Sequence, residues 1–154
     1  KSARLTGMSR VPTAPTSTAA ELTERLHRSF PETGMQARIT VEEVGDKRLR
    51  LRYRVSAEGA EIRPGGTVSG PTLMTMADTV AWLLTLAQLP AGVDALTSSL
   101  TISFLRPPAP SDLVGEGRLL RMGRRLSVVD VTITSVGQPD PVAVATVTYA
   151  PLLG

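Results

Sequence analysis

One segment constrains the fold more than any other: residues 71–89, PTLMTMADTVAWLLTLAQL, apolar along almost all its length and bracketed by Pro71 and Pro90. Proline is tolerated in the first turn of a helix and cannot continue one, so the pair reads as a start and a stop. The spacing predicts a helix of about 19 residues, roughly 28 Å long, with Pro71 at its first position and Gly70 as its cap. On a helical wheel Leu73, Met76, Ala77, Val80, Leu83, Leu84 and Ala87 form the main apolar stripe, while Trp82, Leu86 and Leu89 occupy the other side. A helix apolar nearly all round must be covered nearly all round. Its own sheet can cover one side, and a second copy of the chain is the expected cover for the other. Asp78, Gln88 and the threonines argue against a membrane span.

The flanking sequence supplies the sheet. Thr18 and Glu21 form a capping-box pattern ahead of Leu22 and Leu26, which predicts a short amphipathic helix reaching about Phe30, with His27 on its solvated side. Two alternating runs then meet at the turn signal Gly45-Asp46, a hairpin in outline. In the second run Leu49, Leu51, Tyr53 and Val55 share one face and Arg48, Arg50, Arg52 and Arg54 the other. That face is either a solvated side of a half-buried strand or a stripe for phosphates or a partner. After Pro90 come four β-forming runs with Gly, Pro or Asp between them, and Gly123, beside Arg124 and Arg125, marks a further hairpin. The order predicts an α+β domain in which an antiparallel sheet covers one central helix.

With 154 residues and 42% apolar, the chain can bury one core and is too short for two ordinary domains. Residues 1–18 read as a flexible tail and residues 19–154 as the domain. The seven residues ahead of Met8 are expected to be foreign to the native start. There is no cysteine and a single histidine, His27, so disulfides, thiolate zinc sites and a cysteine nucleophile are excluded, and no metal or cofactor is expected. Residues 1–15 lack the apolar core of a signal peptide, and a cytoplasmic protein is expected. The net charge of +3 permits contact with phosphates, but aromatics at 3% leave little from which to build stacking platforms, and nucleic acid is not an expected partner.

Asp78 is the anomaly within the helix. A carboxylate covered on that side loses water and needs donors. It is either an aspartate satisfied by a nearby hydroxyl or amide, or a general base or nucleophile suited to activating water or attacking an acyl carbon. Gly70 offers a second element of such chemistry. Without a side chain, it lets a carbonyl approach its amide at the positive end of the helix, where an oxyanion would be stabilised. Eight residues, roughly 12 Å of helix, separate the two, so one chain does not easily bring both to one carbonyl, whereas two antiparallel helices at a dimer interface can.

The runs GGTVSGPTLMTMADT, TSSLTISFLRPP and LVGEGRLLRMGRRLSVVDVTI resemble the hotdog-fold acyl-CoA thioesterases of the phenylacetate-degradation type, over about residues 34–152. The resemblance implies a hotdog fold, a sheet of five to six strands wrapped around a long central helix. It also implies hydrolysis of a small or medium acyl-CoA, aromatic acyl groups included, at the interface of a homodimer or a dimer of dimers. On this likeness Gly66 matches the first glycine of the family motif, Gly70 the glycine whose amide polarises the thioester carbonyl, Asp78 the acid and Thr97 the water-orienting hydroxyl. Three positions depart from the pattern: Ser69 replaces the family histidine, Pro71 the second glycine and Arg63 an asparagine. With Trp82 on the helix and Arg124 and Arg125, candidates for the CoA phosphates, they complete the expected substrate-binding set. A non-catalytic module that binds acyl-CoA or only dimerises is the competing reading.

Overall fold

The computed structural model describes residues 14–56, 59 and 61–154. Helix α1 (Ala19–Ser29) opens with the expected capping box. Thr18 Oγ1 accepts from the Glu21 amide at 3.2 Å, and the Glu21 carboxylate accepts from the Thr18 amide at 2.8 Å. Leu22 and Leu26 are its buried pair. His27, exposed as expected, also bonds the Ile39 carbonyl through Nε2 at 2.8 Å. Of the expected tail, residues 1–13 lie outside the described residues. Thr16 is tied to the end of the central helix, donating its amide to the Ala87 carbonyl and its hydroxyl to that of Leu89.

A 3₁₀ turn (Met35–Arg38) leads into β1 (Ile39–Gly45) and β2 (Arg48–Tyr53). Their connection is Asp46-Lys47 rather than the expected Gly45-Asp46. Gly45 still pairs with Arg48, and Lys47 takes the left-handed conformation at φ 57° that the tight turn requires. The central helix, α2 (Gly70–Leu86), is followed by β3 (Ala95–Phe104), β4 (Leu113–Met122), β5 (Ser127–Ser135) and β6 (Ala143–Pro151). The strands form one antiparallel sheet in the order β1-β2-β4-β5-β6-β3, so the α2 crossover carries the chain to the far edge. This is the hotdog arrangement.

Helix α2 lies against β2 to β6. Two glycines on β4 make room for it: a Cβ at Gly115 or Gly117 would stand 2.7 or 2.6 Å from a methyl group of Val80. The helix differs from expectation at both ends. Its cap is Ser69, not Gly70, and it ends at Leu86, with Pro71 still within the first turn. Leu86 and Leu89, expected on the side awaiting a partner, are buried by the chain's own residues. The side left open is narrower: Pro71 and Met74 are exposed, and Thr75, Asp78 and Trp82 are half-buried. Among the described residues no helix is long and apolar enough to cross a membrane.

Two arginines of the β2 row, Arg50 and Arg52, sit in an ionic lattice on the outer face of the sheet. Arg50 meets Glu42 and Glu116, Arg52 meets Glu42 and Asp112, and Arg118 on β4 meets Asp130. This pairing locally neutralises much of the positive stripe. Exposed pairs of this kind contribute little to stability, about 0–1 kcal/mol each.

Candidate active site

Asp78 faces out from the middle of α2 toward the β3–β6 ladder. Thr97 and Tyr149 are direct cross-strand partners there, and the register shifts immediately after Thr97, an irregularity of the kind that re-aims side chains. Both hydroxyls donate to the same carboxylate oxygen: Thr97 Oγ1 to Asp78 Oδ1 at 2.8 Å and Tyr149 Oη to Asp78 Oδ1 at 2.6 Å. The Tyr149 hydroxyl also stands 3.2 Å from the Asp78 backbone carbonyl. Tyr149 is almost wholly buried. Burial, and then its bond to the Asp78 carboxylate, push its phenol well above the ordinary tyrosine range, so it remains a donor.

Tyr149 is absent from the sequence-derived set. Its signal was its place in the alternation Ala145, Val147, Tyr149, which turns a tyrosine inward on the last strand, where its hydroxyl requires a partner. That the partner is Asp78 follows only from the ladder register.

The start of α2 forms the second element. Among the amides of the first turn, that of Thr72 is taken by Ser69 Oγ at 3.4 Å and that of Leu73 by the Ser69 carbonyl at 3.3 Å, while Pro71 has none. The Gly70 amide is therefore the one first-turn donor with no described partner. It borders a groove of about 460 Å³ shared with Arg63, Leu73, Phe104 and Arg106. A Cβ at Gly70 would meet only the Phe104 ring, at an ordinary 3.5 Å, so packing alone does not demand glycine there.

The remaining candidates are dispersed. Arg63 and Gly66 lie exposed in the loop before α2, where Gly66, at φ 82°, closes a turn onto the Arg63 carbonyl. Ser69 is the helix cap, its hydroxyl 2.8 Å from that of Thr72, and Pro71 is exposed beside it. Trp82 shares the open face of α2 with Asp78, but its indole donates to Asp94 Oδ1 at 2.9 Å and its ring packs edge-on to Phe30. Arg124 and Arg125 are exposed in the β4–β5 hairpin, which leaves the sheet at the end where Ser127 pairs with Tyr149. Among the described residues neither is in an ion pair, and no group of His, Cys, Asp and Glu is arranged to hold a metal ion.

A second carboxylate cluster, also missed in the sequence, lies just ahead of α2. Glu61 Oε1 accepts from Tyr53 Oη at 2.7 Å and from the Ser56 amide at 3.1 Å. Arg38 Nη1 stands 2.6 Å from the same oxygen, an ion pair without hydrogen-bond alignment, and its guanidinium lies over the Tyr53 ring. Burial alone would raise the Glu61 carboxyl, but Arg38, Tyr53 and backbone amides outweigh it and hold it at about 2. The Glu61 carbonyl accepts the Ser69 amide at 2.7 Å, which ties this cluster to the cap of α2.

The hotdog fold and the comparisons with known proteins together point to the acyl-thioester hydrolases. The thioesterase superfamily profile matches residues 65–142, and the chain belongs to that superfamily. A candidate thioesterase from a Silicibacter species is 32% identical over 92% of this chain and 96% of its own, with a TM-score of 0.80. A candidate thioesterase from Ralstonia eutropha, described as phenylacetic acid degradation-related, is 29% identical over 84% of this chain and 98% of its own, at 0.71. A Haemophilus influenzae thioesterase, 16% identical over 89% of this chain and 92% of its own, shares the fold at 0.76. No curated protein matches the chain.

Proposed function

We propose that the protein hydrolyses a small or medium acyl-CoA thioester at a homodimer interface, with Asp78 as the essential acid. The observation that carries this reading is the Asp78 carboxylate, held through Oδ1 alone by Thr97 and Tyr149 on the open side of an otherwise buried helix. Supporting it is the Gly70 amide, which has no partner among the described residues, at a glycine that packing does not require. The thioester oxygen takes up negative charge there as the acyl carbon is attacked. Water adds to that carbon as its proton passes to Asp78. The carbon–sulfur bond then breaks, CoA takes that proton from Asp78 and leaves as the thiol, the acyl group is released as the free acid, and the Asp78 carboxylate is restored. Thr97 keeps lone pairs with which to accept a hydrogen bond from the attacking water while it donates to Asp78.

Gly70 borders the groove by Phe104 and Arg106, whereas Asp78, eight residues farther along α2, meets Thr97 and Tyr149, a separation that supports a site shared between copies. Among the described residues the outer edge of β3 carries no neighbouring strand, and Met74, Leu96, Phe104 and Leu105 are exposed along α2 and the β3 side, an apolar surface suited to a homodimer or a dimer of dimers. Arg63 lines the Gly70 groove, Ser69 and Pro71 line the neighbouring pocket beside Glu61, and Gly66 lies in the loop before α2; with Arg124 and Arg125, the candidates for the CoA phosphates, they are the substrate-binding candidates. The likeness to the Ralstonia protein favours the phenylacetate-degradation type, aromatic acyl groups included. The cysteine-free sequence fits a reducing compartment, and we place the protein in the cytoplasm. The test is a screen of acyl-CoAs against wild type and Asp78→Asn. Hydrolysis by wild type that falls by about a hundredfold or more in the variant is expected, the scale of a lost general base. Equal rates in the two proteins refute the role of Asp78, and no hydrolysis by either leaves a binding or dimerisation module.

A further inference from the structure

We propose that Tyr149 is a positioning residue for Asp78: with Thr97 it locks Oδ1, so that Oδ2 is the single oxygen presented to the reacting water. This inference rests on the hydrolytic reading above and goes beyond it, because it assigns distinct tasks to the two oxygens of one carboxylate. Three observations carry it. Both donors converge on Oδ1, at 2.6 and 2.8 Å, and among the described residues no donor reaches Oδ2. The donors come from directly paired residues of adjacent strands, so the ladder sets the spacing of the backbones that carry them. Tyr149 is buried to 3% exposure with Asp78 as its hydroxyl's hydrogen-bonding partner, through side chain and backbone together, so the phenol cannot swing away without losing that partner.

The physical consequence is directional. A free carboxylate rotates about its terminal torsion and offers either oxygen, since that torsion is broad and nearly two-fold. Two donors on one oxygen remove the symmetry, and the base approaches water along one fixed line, the condition under which proximity accelerates proton transfer. Tyr149 touches no reacting atom in this scheme and acts only through Asp78.

The experiment combines kinetics with structure. Tyr149→Phe keeps the ring and its packing and removes the donor. The expected outcome is a kcat lower by about tenfold to a hundredfold, the scale of one hydrogen bond to a charged group, with KM within about twofold. The same substitution in an Asp78→Asn background should leave the residual rate unchanged, because the residue acts only through the carboxylate. In crystals, Asp78 should hold one carboxylate orientation in wild type and more than one in Tyr149→Phe. Thr97→Val, at an exposed position, removes the other donor together with the contact to the attacking water, and should lower kcat at least as far as Tyr149→Phe. An unchanged kcat, an equal loss in the Asn background, or a single carboxylate orientation retained in Tyr149→Phe overturns the assignment. If wild type hydrolyses no thioester, the hydrolytic reading falls by itself, and the crystallographic comparison still decides whether Tyr149 holds Asp78.

Discussion

Asp78 and Glu61 are two carboxylates at the two ends of one functional segment, and the fold treats them oppositely. Glu61 is buried and held by a cation, a phenol and a backbone amide, with its carboxyl at about 2. Asp78 is half-buried, meets no cation among the described residues, and is held by two hydroxyls on one oxygen. Glu61, buried and paired with a cation as well as two hydrogen-bond donors, is fixed as an anchor. Asp78, held among the described residues only by neutral hydroxyls at a half-buried position, stays open to chemistry. The Glu61 backbone carbonyl accepts the Ser69 amide, so the anchored residue ties down the loop that leads to the Gly70 amide proposed as the oxyanion donor.

This contrast predicts opposite mutant phenotypes. Asp78→Asn should lower hydrolysis by about a hundredfold to ten thousandfold while leaving thermal unfolding nearly unmoved. Glu61→Ala should leave Arg38 partly buried without its partner and cost about 3–5 kcal/mol, a fall in Tm of roughly 10 °C or more by calorimetry. A smaller effect follows with pH. The Glu61 carboxyl lies at about 2 in the folded chain against an ordinary 4.5, so its contribution is complete above about pH 4.5 and is lost as pH falls toward 2. Wild-type Tm should therefore drop across that window, and Glu61→Gln should flatten the drop; identical slopes would break the assignment of Glu61 as the anchor. The smallest change should be Arg50→Gln in the outer lattice, within about 0.5 kcal/mol by urea unfolding, because its partners are solvated and Glu42 keeps Arg52.

The elements were legible in the sequence where the determining interactions are local. The Thr18–Glu21 box, the proline-bounded helix and the alternation of β2 rest on residues within a turn or two of one another, and all three are present. Boundaries shifted where a competing local group won. Ser69 has a hydroxyl with which to cap α2 and Gly70 has none, so the helix began one residue early. Asp78 stood out because a charge inside an apolar helix needs an explanation wherever it is folded. Its partners were only half legible. Thr97 came through a motif likeness, and Tyr149 not at all, since 71 residues separate it from Asp78. The Arg38, Tyr53 and Glu61 cluster was hidden for the same reason, and the indole of Trp82 proved to have a partner in Asp94 that no spacing rule announces.

Hydrophobic periodicity, caps and turn residues therefore determined which segments are helices and strands, that one helix must be enclosed, and that Asp78 on it is exceptional. Those properties depend on neighbours along the chain, and they hold before the chain folds. Tertiary structure alone decided which oxygen of Asp78 is held, that Tyr149 holds it, and that Glu61 anchors the approach to Gly70. Each of those depends on strand register, and register is set by the summed fit of many side chains to a shared core rather than by any short stretch.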